Sequence, residues 1–291
     1  MNFCISFFFN VASFLLSLFP RKVQLGFGWV LGVLWFDIFR IRRTVALQNL
    51  KLAFPDWAEI DRVRTGRASL VNMGHNIIEL ILMVRYPQSN LKEDFVFDGL
   101  EHIDKALKQN KGAMILSLHL GNGDFGCMAL SLSGYKLNLI SKQFKSVALN
   151  EFWFGTRRKH GTRFIHAEKS SFDILKALNR NESVIFVLDQ FMGPPIGVKT
   201  NFFGVPTGTA MGLALFQDRT KAPVIPGYNV RLPDGRMRVV FEKAIAFEDN
   251  GARDQNIAFM TQKYTDKIED IVRKYPDQWM WIHRRWKKFR D

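Results

Sequence analysis

Residues 111–126 read KGAMILSLHLGNGDFG. An apolar run of strand length, 113–118, delivers His119; two glycines follow, and Asp124 stands five positions after the histidine. An apolar strand feeding a glycine-containing turn and then a helix is how α/β proteins present side chains at the carboxyl edge of a sheet. A neutral imidazole can take a proton near pH 7, and a carboxylate beside it fixes its tautomer and stabilises the imidazolium. With six histidines and 27 acids in the chain, such a spacing also arises by chance, and a strand-capping His with a helix-capping Asp gives the same letters. The surrounding segments therefore carry the reading.

Strand-like runs recur on either side of this stretch, at 95–97, 136–141, 163–166, 183–188, 224–230 and 236–241. Helical patterns fill most of the gaps, at 102–109, 125–133, 148–159, 171–179 and 210–219. Strands separated by helices of this length predict an α/β fold with a mostly parallel, covered central sheet flanked by helices. Asp234-Gly235 in RLPDGR reads as a hairpin turn. Upstream, 42–82 reads helical with a break at Pro55-Asp56, where Asp56 is the expected N-cap; His75 on this run is expected to pack. No repeat or linker composition appears, so one globular domain, 41–291, is expected after an N-terminal segment, 1–40.

That segment is apolar. Residues 1–19 carry no charge, and as a helix of ~1.5 Å per residue they nearly match a ~30 Å hydrocarbon core. Residues 25–39 are apolar apart from Asp37 and contain Gly26, Gly28 and Gly32, but are short for a span. A cleaved signal peptide is not expected, because no basic stretch precedes the apolar run. Arg21, Lys22, Arg40, Arg42 and Arg43 follow the apolar stretches, which keeps the main domain on the cytoplasmic side. The expectation is a membrane-attachment helix or hairpin, spanning or lying in the interface; its competitor is a buried helical hairpin.

Lys and Arg number 41 against 27 acids, a net charge of +14, so anionic partners are expected. Two basic and aromatic stretches concentrate this charge. Residues 142–163 hold six basic residues and one acid, interleaved with Phe144, Phe152, Trp153 and Phe154. Residues 273–291 hold seven basic and two acidic, threaded by Trp279, Trp281 and Trp286. Such composition suits single-stranded nucleic acid or a membrane surface, and the apolar N-terminus favours the membrane. His283, with no acid near it in sequence, is expected to pack or to meet headgroups.

A second apolar strand, SVIFVL, runs straight into Asp189-Gln190, where substrate-binding groups sit in such sheets. The loop after it does not have phosphate-loop spacing; its Gly, Pro and Phe residues suggest an apolar wall near a lipid tail. Cys4 and Cys127 form no disulfide framework, no His/Cys cluster has metal-ligand spacing, and no covalent nucleophile is indicated.

In order along the chain, an apolar N-terminus, RRTVALQNLKLAFPD, HLGNGD, RRKHG, VLDQ, NFFGVP, KAPVIPGY and PDQWMWIHRRWK together resemble the bacterial lipid A biosynthesis (lauroyl/myristoyl) acyltransferases, within the lysophospholipid acyltransferase superfamily. HLGNGD alone is weakly specific; the ordered set is not. The sequence departs mildly in having Asp124 where many members have Glu. The resemblance implies a lysophospholipid acyltransferase-like fold and a membrane-bound enzyme. That enzyme moves a fatty acyl chain from a thioester, on acyl carrier protein or coenzyme A, to a hydroxyl of a lipid A precursor or related glycolipid. His119 is then the general base and Asp124 its orienting carboxylate, with Arg157, Asp189 and Gln190 binding substrate or supporting the site. No metal and no cofactor are implied, the thioester being a co-substrate. The expected partners are the acceptor lipid, acyl carrier protein and the bacterial inner membrane, with the catalytic domain on its cytoplasmic side and no nucleic acid. Phosphatidylinositol mannoside acyltransferases share the pattern. From another class, a basic membrane-associated binding protein without catalysis remains the competing reading.

Overall fold

The computed structural model describes residues 3–167, 170–249 and 251–289. The first two residues of the apolar segment and the last two of the basic C-terminal run lie outside the described residues. In chain order the elements begin with α1 (Phe3–Ser17), α2 (Arg21–Val33, continued as a π-helix over Leu34–Phe39), α3 (Arg43–Ala53), α4 (Glu59–Leu82) and α5 (Leu91–Asp94). Next come β1 (Phe95–Asp98), α6 (Leu100–Leu107), β2 (Ala113–Ser117), α7 (Gly123–Leu132), β3 (Leu137–Ser141), α8 (Val147–Lys159), β4 (Arg163–His166) and α9 (Ser171–Asn179). The chain closes with β5 (Ser183–Val187), β6 (Gly197–Phe202), β7 (Val205–Ala210), α10 (Gly212–Thr220), β8 (Val224–Arg231), β9 (Met237–Phe241) and α11 (Arg253–Lys274).

Seven strands form one sheet in the order β1-β9-β8-β2-β5-β3-β4. Every neighbouring pair is parallel except β8 and β9, which the Asp234-Gly235 turn joins as an antiparallel hairpin. The runs at 113–118 and 183–188 are continuously apolar because both faces of the sheet are covered. Successive residues of β2 feed opposite cores. Met114 and Leu116 join the cluster under α9, α10 and α11. Ala113 and Ile115 join the one under α6 and α7.

Two sequence expectations fail locally, and two elements add to the sequence reading. Helix α4 begins after Ala58 with no side-chain cap, so Asp56 lies in the turn before it and caps nothing; Glu59 and Asp61 in the first turn instead complement the helix dipole. The stretch after Gln190 is a two-stranded hairpin, β6–β7, which delivers Phe202 and Phe203 into the core. Helix α11, a 22-residue element, crosses a region where the sequence pattern predicts no element. The tryptophans near the C-terminus do not form an interfacial belt: Trp279 and Trp281 are fully buried among Phe54, Phe202 and Phe203. Their indole N–H groups reach Asp189 and the Pro276 carbonyl, while that of Trp286 reaches the Phe202 carbonyl. Such satisfied donors make the burial affordable.

The N-terminal helices lie along α4. Contact is close because small residues meet: a Cβ on Gly74 would stand 2.1 Å from the Gly28 carbonyl oxygen, and one on Gly32 would stand 2.3 Å from Val71 Cα. His75 packs at the same crossing, against Gly28. The outward faces carry Phe7, Phe8, Phe14, Leu18, Trp29 and Ile38, all exposed. Pro20 separates the two helices, and the π-turn extends the second to Phe39. The longer apolar helix is therefore Arg21–Phe39, 19 residues at mean hydropathy 1.3, rather than α1 with 15.

Candidate active site

Strands β2 and β5 are neighbours with Ser117 opposite Val187. Continuing both chains two residues past that pair brings His119 level with Asp189. The imidazole Nδ1 lies 2.7 Å from Asp189 Oδ1. The His119 backbone N–H donates to Asp189 Oδ2 at 2.8 Å, and the Trp279 indole N–H donates to the same oxygen at 2.7 Å. Asp189 is almost wholly buried. Burial alone would raise its pKa, but the His119 charge and these three hydrogen bonds hold it at about 2. For His119 burial works downward, and the Asp189 carboxylate, with a smaller contribution from Asp124, outweighs it and raises the pKa above 6.5.

The carboxylate on the imidazole is thus Asp189, and Asp124 does not hold the orienting place expected of it. Asp124 sits in the first turn of α7, whose N-cap is Asn122, and makes an ion pair with Arg157 from α8. The helix begins between His119 and Asp124 and carries the second side chain toward α8. Arg157 is buried, with its guanidinium 4.4 Å from the Trp153 ring centroid and 5.5 Å from that of Phe164. Its Nε is buried without a hydrogen-bond partner.

The turn between His119 and Asp124 is fixed from three sides. Gly121 adopts φ +57°, and a Cβ there would stand 2.4 Å from the Asn229 carbonyl oxygen, so this position requires glycine. Gly123 has open space around it. Asn76 of α4 donates to the Gly121 carbonyl at 2.6 Å. Asn122 accepts from the Phe125 N–H and donates to Glu79 at 2.8 Å. Glu79 is fully buried and also accepts from Arg231 at 2.8 Å and from Arg21, the first residue of α2. Burial opposes its charge, but the two guanidinium groups and Asn122 hold its pKa at about 2.

The model of the bacterial lipid A biosynthesis acyltransferases matches residues 2–288. The chain belongs to that family. It is an acyltransferase. The lipid A biosynthesis palmitoleoyltransferase of Escherichia coli is 26% identical over 92% of this chain and 86% of its own length. The lauroyltransferase of the same organism is 25% identical over 92% and 86%. A phosphatidylinositol mannoside acyltransferase of Mycobacterium tuberculosis is 25% identical over 66% of this chain and 60% of its own.

In this acyltransferase a cavity of about 1240 Å³ opens beside His119, larger than the ~300–1,000 Å³ of most small-molecule sites. Its walls include Ile115, Leu130, Leu139, Ile185, Leu215 and Phe216, and His119, Asp124, Arg157 and Gln190 are among its polar lining residues. Cys127 also lines it, but burial pushes the thiol up to about 12, so almost no thiolate exists near pH 7.

Two residues of the C-terminal segment, His283 and Arg285, meet Gln190, a contact the sequence does not predict. His283 lies with its ring centroid 5.6 Å from that of His119, and Gln190 stands between them. Arg285, almost wholly buried, donates to the carbonyl oxygens of Gln190 and Gly208 and to Thr209 Oγ1. The Met280 N–H donates to the His119 carbonyl at 3.1 Å. The only sequence signal for these roles was a histidine within the family-like stretch WMWIHRRW.

Proposed function

We propose that the protein transfers a fatty acyl chain from an acyl thioester to a hydroxyl of a lipid A precursor or a closely related glycolipid. The observation that carries this reading is His119, with Nδ1 on a buried carboxylate and its ring at the edge of a large apolar cavity. Asp189 keeps the proton on Nδ1, so Nε2 is free to take the hydroxyl proton of the acceptor. The acceptor oxygen attacks the thioester carbonyl carbon and forms a tetrahedral oxyanion. Collapse breaks the carbon–sulfur bond, and the departing thiolate takes the proton from the imidazolium. The nucleophile is the acceptor itself, consistent with the un-ionised Cys127. The apolar walls hold the acyl chain.

Arg157 is assigned to an anionic group of donor or acceptor, through the unused Nε and whichever Nη protons Asp124 leaves. The net charge of +14 suits acyl carrier protein as donor and phosphorylated lipid as acceptor. The exposed apolar faces of α1 and α2 attach the chain to the inner membrane, and the basic residues that follow favour the cytoplasmic side.

Purified full-length protein in detergent is incubated with a fatty acyl thioester and, in parallel, with a lipid A precursor, a phosphatidylinositol mannoside and a lysophospholipid. Mass spectrometry should find the new ester on the lipid A precursor. Acylation of the mannoside or lysophospholipid alone would overturn the acceptor assignment. The pH profile of kcat/KM checks the base. His119 must be neutral to act, and its pKa is raised by Asp189 and Asp124. Activity should therefore rise with pH through a midpoint above 6.5. A flat profile from pH 5 to 8 would count against His119.

A further inference from the structure

The Gln190 amide nitrogen lies 3.3 Å from His119 Nε2 and 3.0 Å from His283 Nε2. A primary amide nitrogen carries two protons and accepts nothing. Both contacts are hydrogen bonds only when both Nε2 atoms are bare. Asp189 on Nδ1 of His119 already requires that of one ring in its neutral form. For the other, burial is the main cause that lowers the pKa of His283, with the His119 charge adding to it, and the neutral ring has a bare Nε2 when its proton is on Nδ1. The remaining charged groups around His283 are Asp189 across the site, Arg42 ahead of α3 and Lys287 on its own segment; both cations work against protonation and Asp189 for it. The backbone at His283 is tied in place: its carbonyl accepts from buried Asn49 of α3 and from the Arg285 N–H. Arg285 in turn holds the Gln190 carbonyl at 3.2 Å.

We propose that His283 is a positioning residue for acyl transfer. By accepting from the Gln190 amide it keeps the nitrogen end of that amide turned toward His119, so that His119 Nε2 remains unprotonated until the acceptor hydroxyl takes the amide's place. Turned end for end, the amide would present its oxygen to Nε2, stabilise a proton there and remove the base. The contact to His283 is the shorter of the two, so an arriving hydroxyl displaces the weaker one and leaves Gln190 anchored. The inference rests on His119 being the general base.

The test uses full-length protein in detergent micelles and two readouts. One is the His119 pKa from NMR titration of isotope-labelled imidazoles; the other is the pH profile of kcat/KM for acyl transfer. His283→Phe should raise the His119 pKa by about one unit and lower transfer at neutral pH roughly tenfold, with recovery at alkaline pH. His283→Gln keeps an acceptor within reach and should return both values toward wild type. His283→Asn, too short to reach Gln190, should behave like the Phe variant and serves if that one does not fold. In a Gln190→Ala background, His283→Phe should produce no further shift. An unchanged His119 pKa in both His283→Phe and His283→Asn, or an equal shift without Gln190, would overturn the proposal. Because the titration needs no turnover, a wild-type protein that transfers nothing yet shows the Gln190-dependent shift would sink the acyl-transfer reading and support the coupling.

Discussion

His119→Ala should abolish acyl transfer, and Asp189→Asn should lower kcat by about 10³–10⁴ while the chain still folds. An asparagine in place of Asp189 can turn its nitrogen toward Nδ1, which moves the imidazole proton to Nε2, where it blocks uptake of the acceptor proton. It also strips the imidazolium of its counter-charge. Asp124→Asn acts by another route, because its partner is Arg157. Both substitutions remove a negative charge that raises the His119 pKa, and Asp189 is the larger contributor. The midpoint of the acid limb therefore moves down further in Asp189→Asn than in Asp124→Asn. Stopped assays from pH 5 to 9, with kcat and KM separated, distinguish them. An Asp189→Asn enzyme with near-normal kcat, or one whose midpoint moves less than that of Asp124→Asn, would remove Asp189 from the base.

Glu79→Ala should be the most destabilising single change near the turn, costing roughly 3–5 kcal/mol. It leaves the Arg231 guanidinium buried without its carboxylate, and it releases Arg21 and Asn122. Glu79→Gln keeps the shape and part of the hydrogen bonding, so its cost should be smaller. The pH dependence has a defined sign. The folded pKa of about 2 lies below the ordinary 4.5, so the carboxylate contributes fully above 4.5 and its contribution is lost as pH falls toward 2. Denaturant unfolding in micelles should find wild-type stability falling over that window more steeply than that of Glu79→Gln. Matching slopes would mean that the buried carboxylate is not held by its arginines. Because Asn122 caps α7, the Ala variant should also lose transfer activity before it loses global structure.

Much of the architecture was legible because each strand announces itself locally. The runs at 113–118 and 183–188 are apolar throughout, as strands covered on both faces must be, and Asp234-Gly235 can hardly be anything but a turn between strands. The ordered motifs from RRTVALQNLKLAFPD to WMWIHRRW were enough for the family. The small residues Gly28 and Gly32 were visible as letters, but not their partner Gly74, some 45 residues away. Composition misread the C-terminal segment, since a Trp/Arg/Lys run has the same letters on a membrane surface and in a core that satisfies every indole N–H. Sequence by itself determined a parallel α/β acyltransferase domain behind an apolar hairpin, with a histidine at the sheet edge. Only the tertiary structure decided which acid meets that histidine. The choice depends on the register of two strands some 70 residues apart, Ser117 against Val187, and a register between distant strands leaves no trace in local spacing.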